Sequence, residues 1–167
     1  MEPANPKPGT HKVLSIDPDS CTNCRSCELA CSAFHYKESN PMRSMIKVIY
    51  DFKRNLTVPI MCQQCEEPPC KEACRPKAIL SNPNNDILSV NEEKCIGCNM
   101  CVVACPLGGF TIDPKTRKPI MCDLCGGDPQ CVKVCSLGAL KFTEDFRVGV
   151  ESKRTKLKKV LETMKRT

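Results

Sequence analysis

Cys95-Ile96-Gly97-Cys98-Asn99-Met100-Cys101-Val102-Val103-Ala104-Cys105-Pro106 sets four thiols in the order C-x2-C-x2-C-x3-C and closes on proline. Three thiolates two residues apart can wrap one iron-sulfur cube from a tight loop. The intervening N–H groups turn toward its sulfides, and Gly97 permits close approach. The fourth thiol stands about one turn into the helix expected to follow, so it points away from that cube and suits a neighbouring one. One such run therefore implies a second.

The second run lies upstream. The sixteen cysteines fall into four groups with none left over: Cys21, Cys24, Cys27, Cys31; Cys62, Cys65, Cys70, Cys74; Cys95, Cys98, Cys101, Cys105; and Cys122, Cys125, Cys131, Cys135. The first and third share C-x2-C-x2-C-x3-C, while the second and fourth are stretched to C-x2-C-x4-C-x3-C and C-x2-C-x5-C-x3-C. Pro59-Ile60-Met61-Cys62 recurs as Pro119-Ile120-Met121-Cys122, so the chain reads as a duplicated two-cluster unit. The expected division is an N-terminal extension over 1–11, a cysteine-rich domain over 12–150 with repeats at about 12–75 and 76–150, and a tail over 151–167.

Between the groups the signals are for short strands and turns. Met45 to Tyr50 and Leu56 to Ile60 flank Lys53-Arg54-Asn55 and predict a hairpin. Two more are expected around Asn82 to Asp86 and around Pro114-Lys115-Thr116, the latter joining Phe110-Thr111-Ile112 to Ile120. Short helices are expected near Cys27, Cys101 and Cys131. The fold class is α+β.

Composition agrees with metal as the source of cohesion. In 167 residues aromatics make up 4%, Trp is absent, and the sixteen cysteines are nearly a tenth of the chain. Such a chain is short of material for a large apolar core. The N-terminus carries neither a signal-peptide apolar run nor a twin arginine, and no segment approaches a membrane span. A reducing cytoplasm is the expected compartment, where disulfides are disfavoured. Four all-cysteine zinc sites would also brace the fold, but zinc sites are built from C-x2-C pairs with longer spacers and do not call for a third cysteine two residues on.

The formal charge of +6 is concentrated at the end, where residues 151–167 hold seven Lys or Arg against two Glu. Four cubanes, each with a 2+ core and four thiolates, would bring the loaded chain to roughly −2. In the tail, Leu157, Val160, Leu161 and Met164 sit at i, i+3, i+4, i+7 among basic residues, the pattern of an amphipathic helix. A helix docked on a partner subunit, which the apolar stripe favours, and a solvated end are the two readings of this tail, ahead of nucleic-acid or membrane binding.

No Ser-His-Asp set, phosphate loop or supported carboxylate pair is present, and His11 and His35 are isolated in sequence and read as structural or solvated. Arg25 beside Cys24 predicts a higher reduction potential for the first site than for the fourth, which has Asp123 and Asp128 nearby.

The four groups, with Cys62-Gln63-Gln64-Cys65-Glu66-Glu67-Pro68-Pro69-Cys70 and Cys122-Asp123-Leu124-Cys125-Gly126-Gly127-Asp128-Pro129-Gln130-Cys131, resemble the four-cluster ferredoxin-like electron-transfer subunits of molybdenum and tungsten enzymes, hydrogenases and carbon monoxide dehydrogenase systems. The likeness covers about residues 12–145. It implies a duplicated bacterial ferredoxin-like fold, four [4Fe-4S] clusters, and no catalysis by this chain alone. It also implies a hetero-oligomer with a catalytic oxidoreductase subunit and a further electron donor or acceptor. Carried over position by position, one cluster takes Cys21, Cys24, Cys27 and Cys135, and another takes Cys122, Cys125, Cys131 and Cys31. The inner two take Cys62, Cys65, Cys70 with Cys105, and Cys95, Cys98, Cys101 with Cys74. The Cys-Asp-Leu-Cys-Gly-Gly-Asp-Pro form of the fourth group is similar to the small subunits serving tungsten enzymes of the aldehyde oxidoreductase type, including tungsten benzoyl-CoA reductase. Only Cys105 is followed directly by proline; Ser32, Arg75 and Ser136 stand at the corresponding places, which leaves the backbone after those cysteines open.

Overall fold

The computed structural model describes residues 12–53 and 55–144. Among these residues eight strands form four separate two-stranded antiparallel ribbons, and four α-helices sit beside the cysteine loops. In chain order the elements are β1 (Lys12–Ile16), α1 (Ser26–Tyr36), β2 (Lys47–Asp51), β3 (Leu56–Ile60), α2 (Pro69–Glu72), β4 (Ile79–Ser81), β5 (Leu88–Val90), α3 (Met100–Ala104), β6 (Phe110–Ile112), β7 (Pro119–Met121), α4 (Gln130–Lys133) and β8 (Leu140–Glu144).

Three of the ribbons are hairpins made by their turns. In β4–β5, the Asn82 side chain accepts from the Asn84 N–H at 2.9 Å, and Asp86 closes the loop at φ 54°. In β6–β7, Asp113 plays the same part toward Lys115 N at 3.0 Å, and Arg117 takes φ 59°. Both turns carry proline directly after the capping residue, where its fixed φ suits a turn. The β2–β3 hairpin pairs Ile49 with Val58 and Tyr50 with Thr57, and Asn55 at its tip accepts from the Tyr50 hydroxyl at 2.6 Å. These hairpins and α1, α3 and α4 lie where the sequence places them.

The fourth ribbon has no hairpin. Here β1 pairs with β8, Leu14 opposite Phe142 and Ile16 opposite Leu140, and Asp17 N–H donates to Ala139 C=O at 2.8 Å. That pairing joins the two ends of the described residues, and no turn signal announces it. The helix α2, a single turn opened by Pro69 at its first position, is not among the expected helices.

The backbone after the fourth cysteines divides. After Cys31, α1 simply continues to Tyr36, since neither proline nor glycine follows. After Cys74, Cys105 and Cys135 the helix has already ended. A tight turn follows in which the N–H of Lys77, Gly108 or Gly138 donates to the cysteine carbonyl, each of the three donors at positive φ. The expectation that Cys105 sits one turn into its helix is therefore not met, since α3 ends at Ala104; of the four last cysteines only Cys31 lies within a helix. Pro106, directly after the Cys105 cap, cannot continue α3.

The core is small and sulfur-rich. Leu14, Ile46, Val48, Met61, Ile79, Leu88, Met121, Leu124 and Leu140 are buried in one cluster with Cys27, Cys31, Cys62, Cys70, Cys101, Cys122 and Cys131. Two polar fastenings tie distant segments. Gln64 donates to Leu88 O at 3.1 Å and Cys122 O at 2.5 Å and accepts from Leu88 N at 2.6 Å. Arg43 holds buried Asp113 through Nε at 3.0 Å and Nη2 at 2.8 Å, with its guanidinium 3.7 Å from the centre of the Tyr36 ring. Among the described residues no helix is long and apolar enough to cross a membrane. The expected N-terminal extension and basic tail lie outside the described residues.

Candidate functional site

None of the sixteen cysteines is in a disulfide. The first and third groups wrap on the same backbone plan. Asn23 and Arg25 both take φ 59°, and Gly97 and Asn99 take 73° and 59° at the matching places. Alternating right- and left-handed residues turn successive N–H groups to one side, which makes a concave nest for negative charge. Asn and Gly tolerate that conformation readily; Arg25 does so less easily. In the stretched groups Gln64, Leu124 and Cys125 take φ between 51° and 55°.

Main-chain donors also reach sulfur. Met45 N donates to Cys31 Sγ at 3.3 Å, Gln64 N to Cys62 at 3.4 Å, Ala78 N to Cys74 at 3.2 Å and Gly109 N to Cys105 at 3.3 Å. Such bonds favour thiolate over thiol. Gly109 is required for its closeness: a Cβ there would stand 2.8 Å from Cys62 Cα and 3.1 Å from Cys62 N.

The groups meet crosswise. Helix α1 lies against α4 and α2 against α3. One cavity is lined by Cys21, Cys24 and Cys27 together with Cys135, and another by Cys95, Cys98 and Cys101 together with Cys74. The thiols also feel one another. Burial pushes Cys62 up to about 12, and the charges of Cys70, Cys65 and Cys105 add to it. Cys101 is pushed to about 11 by burial, with Cys74 and Cys95 contributing. Cys131 rises to about 12 by burial, with Cys125, Cys31 and Cys27 contributing, and Cys122 rises well above the ordinary thiol range by burial, with Cys131 and Cys31. Cys24, near the surface, goes down instead, chiefly through the Ser26 side chain.

Gathered thiols that burial keeps protonated are poised to exchange their protons for a cationic centre, because only the thiolate ligates. A further fit is Asn99, whose Oδ1 is buried without a hydrogen-bond partner beside Cys95, Cys98 and Cys101. The two ends of a carboxamide are alike in shape, so its NH2 can occupy that position and donate to a sulfide. The donor set of soft thiolates in loops lined with N–H groups suits iron-sulfur clusters.

The charged neighbours are placed differently from the sequence expectation. Arg25 folds onto β2, donating to Val48 O at 3.2 Å and lying 3.9 Å from buried Glu28. Asp128 is paired with Lys133. His35 is not isolated: its Nε2 is 3.6 Å from Cys125 Sγ and 3.4 Å from Asp123 Oδ1. The second cysteines Cys24, Cys65 and Cys98 are exposed, whereas Cys125 is only partly so. No sequence signal links His35 to Cys125, which is 90 residues away.

A family described as "4Fe-4S dicluster domain" matches residues 53–145. The polyferredoxin-like subunit of aliphatic sulfonate oxidoreductase from Pyrococcus furiosus is 41% identical over 122 residues, covering 73% of this chain and 70% of that protein. The B component of polysulfide reductase from Wolinella succinogenes is 30% identical over 163 residues, covering 87% and 80%. Among solved structures, one polypeptide of the active site complex BamBC of benzoyl coenzyme A reductase with benzoyl-CoA is 31% identical, with a TM-score of 0.50 over 93% of this chain and 97% of that one. In some longer oxidoreductases the match takes up only 22% to 30% of the relative.

Proposed function

Because this protein belongs to the 4Fe-4S dicluster family, we propose that it relays single electrons through four [4Fe-4S] clusters between a catalytic oxidoreductase subunit and an external redox partner. It is an iron-sulfur electron-transfer protein of the kind that serves oxidoreductase complexes, and not their catalytic subunit. Bound in the cysteine loops, such a cluster takes up and passes on one electron at a time.

The observation that carries the count of four is the crosswise meeting of the groups, with three cysteines of one group and the last of another lining a common cavity. It supports ligand sets of Cys21, Cys24, Cys27, Cys135 and of Cys95, Cys98, Cys101, Cys74. The mutual charges of Cys62, Cys70 and Cys105, and of Cys122, Cys131 and Cys31, support the other two. What this protein's residues do is hold and insulate. Thiolates fix each site, main-chain N–H groups offset its negative charge, and the exchange of fourth ligands between groups keeps neighbouring sites close and rigidly spaced. The exposed Cys24, Cys65 and Cys98 give points where an electron can enter or leave.

The likeness to a polypeptide of the benzoyl coenzyme A reductase active site complex, together with the Cys122 to Pro129 sequence, supports a tungsten or molybdenum pterin subunit as the partner. The test is elemental analysis with acid-labile sulfide on the anaerobically purified native complex. About sixteen iron and sixteen sulfide per copy of this chain, after subtraction of any cluster on the partner, is the expected result, with tungsten or molybdenum alongside. About eight iron per chain would reduce the relay to two clusters. Zinc with little sulfide would overturn the reading.

A further inference from the structure

Among the described residues, the fourth group differs from the other three in having an imidazole against its second cysteine. His35 projects from the last turn of α1 and is largely buried, its side chain 14% exposed. Its Nε2 faces two acceptors at once, Cys125 Sγ at 3.6 Å and Asp123 Oδ1 at 3.4 Å. A carboxylate and a ligating sulfur both call for a donor, so the surroundings assign the ring proton to Nε2. Asp123 is itself fixed, since the same oxygen accepts from Cys125 N at 2.9 Å. The ring is braced edge-on by Phe34, with centroids 5.0 Å apart and planes at 87°. Cys24, Cys65 and Cys98 stand at the same position in their groups and are exposed to solvent.

We propose that His35 is a tuning residue, whose Nε2–H donates to the sulfur of Cys125 and raises the reduction potential of the cluster that Cys125 ligates. The inference rests on the ligand assignment proposed above. An added electron increases the negative charge shared by the ligand sulfurs, and an N–H dipole aimed at one of them favours that more negative state. No proton changes hands; only the electron arrives, from the neighbouring cluster or the external donor. The expectation that Asp123 and Asp128 make the fourth site the low-potential one is thereby opposed. Asp128 is occupied by Lys133, and the charge of Asp123 is turned toward the imidazole N–H. Imidazole, carboxylate and thiol also converge closely enough for a separate metal ion. With Cys125 committed to a cluster, however, only two donors would remain for it.

The experiment is an anaerobic potentiometric titration at one fixed pH, followed by EPR, on the native complex carrying wild-type chain, His35→Leu or His35→Gln. Leucine removes the donor, while the glutamine amide can place an N–H near the position of Nε2. The expected result is that His35→Leu moves one midpoint to more negative potential and leaves the others in place, and that His35→Gln restores most of the shift. Unmoved midpoints, equal shifts in all of them, or equal shifts in both variants would overturn the inference. Should leucine cost the site its iron, wild-type protein with [15N]histidine decides. A hyperfine coupling from one imidazole nitrogen in a single reduced-cluster signal supports the contact, and its absence overturns it. Failure of the underlying ligand assignment is seen separately, as an iron and sulfide content left unchanged by Cys125→Ala.

Discussion

Asp113→Ala is expected to open the molecule far more often without touching a cysteine. The carboxylate is 1% exposed and accepts from Arg43 Nε at 3.0 Å, Arg43 Nη2 at 2.8 Å, Lys115 N at 3.0 Å and Thr116 Oγ1 at 3.3 Å. The first two bonds fasten the segment after α1 to the β6–β7 hairpin, 70 residues on. Deleting one partner of a buried ion pair costs about 3–5 kcal/mol. The lower end applies here, since Arg43 keeps Glu38 at 3.2 Å and the face of Tyr36. A loss of about 3 kcal/mol raises the open population by roughly a hundredfold. The assay is the rate at which the anaerobic protein loses its visible absorbance to an iron chelator. That rate follows the open population as long as reclosing is faster than chelation. Lys115→Ala serves as the control, because its pair with Glu38 is exposed and should change the rate by no more than about twofold. A rate for Asp113→Ala within threefold of wild type, or one shared with Lys115→Ala, would refute the reasoning.

The same clamp has an acid limit. The Arg43 guanidinium beside Asp113 holds its carboxyl below the usual value, so the stabilisation is whole above the unfolded pKa of about 3.9 and fades as pH falls through the lower folded pKa. The ratio of Asp113→Asn to wild-type bleaching rates should therefore be flat from about pH 8 to pH 5 and approach one in stronger acid. Gln64→Leu leaves the Leu88 N–H and the Leu88 and Cys122 carbonyls without their partner and should destabilise by about 2 kcal/mol, read as a lower denaturant midpoint for bleaching. Gly109→Ala drives a Cβ into the Cys62 backbone and should lower iron and sulfide content, whereas Gly108→Ala, with nothing within 4 Å, carries only the strain of its positive φ and should keep its iron. Complete iron removal should unfold the protein, because buried cysteines make up so much of the core; a dispersed amide NMR spectrum of the apoprotein would refute this.

What the sequence makes legible is what short-range spacing controls. Cysteine loops are set by residues two or three apart, and hairpins by turns such as Asn82-Pro83-Asn84-Asn85-Asp86, so both are visible in a local window. What escapes it depends on partners far along the chain. Lys12 to Ile16 is a strand only because Leu140 to Glu144 lies beside it. Gln64 looks like a polar loop residue until β5 and the Cys122 carbonyl arrive to receive its amide. His35 reads as isolated for the same reason, and the electrostatic role that Arg25 suggests in sequence is weakened by its bond to Val48 O and its proximity to Glu28. The cysteines explain why the two classes separate so cleanly. A core built on bound clusters, as proposed here, would place few demands on side-chain volume, so cysteine spacing would carry the fold and leave the remaining sequence free to tune it. Polar side chains that cross between the groups, Gln64, Arg43, Asp113 and His35, are where such tuning is possible without disturbing a ligand.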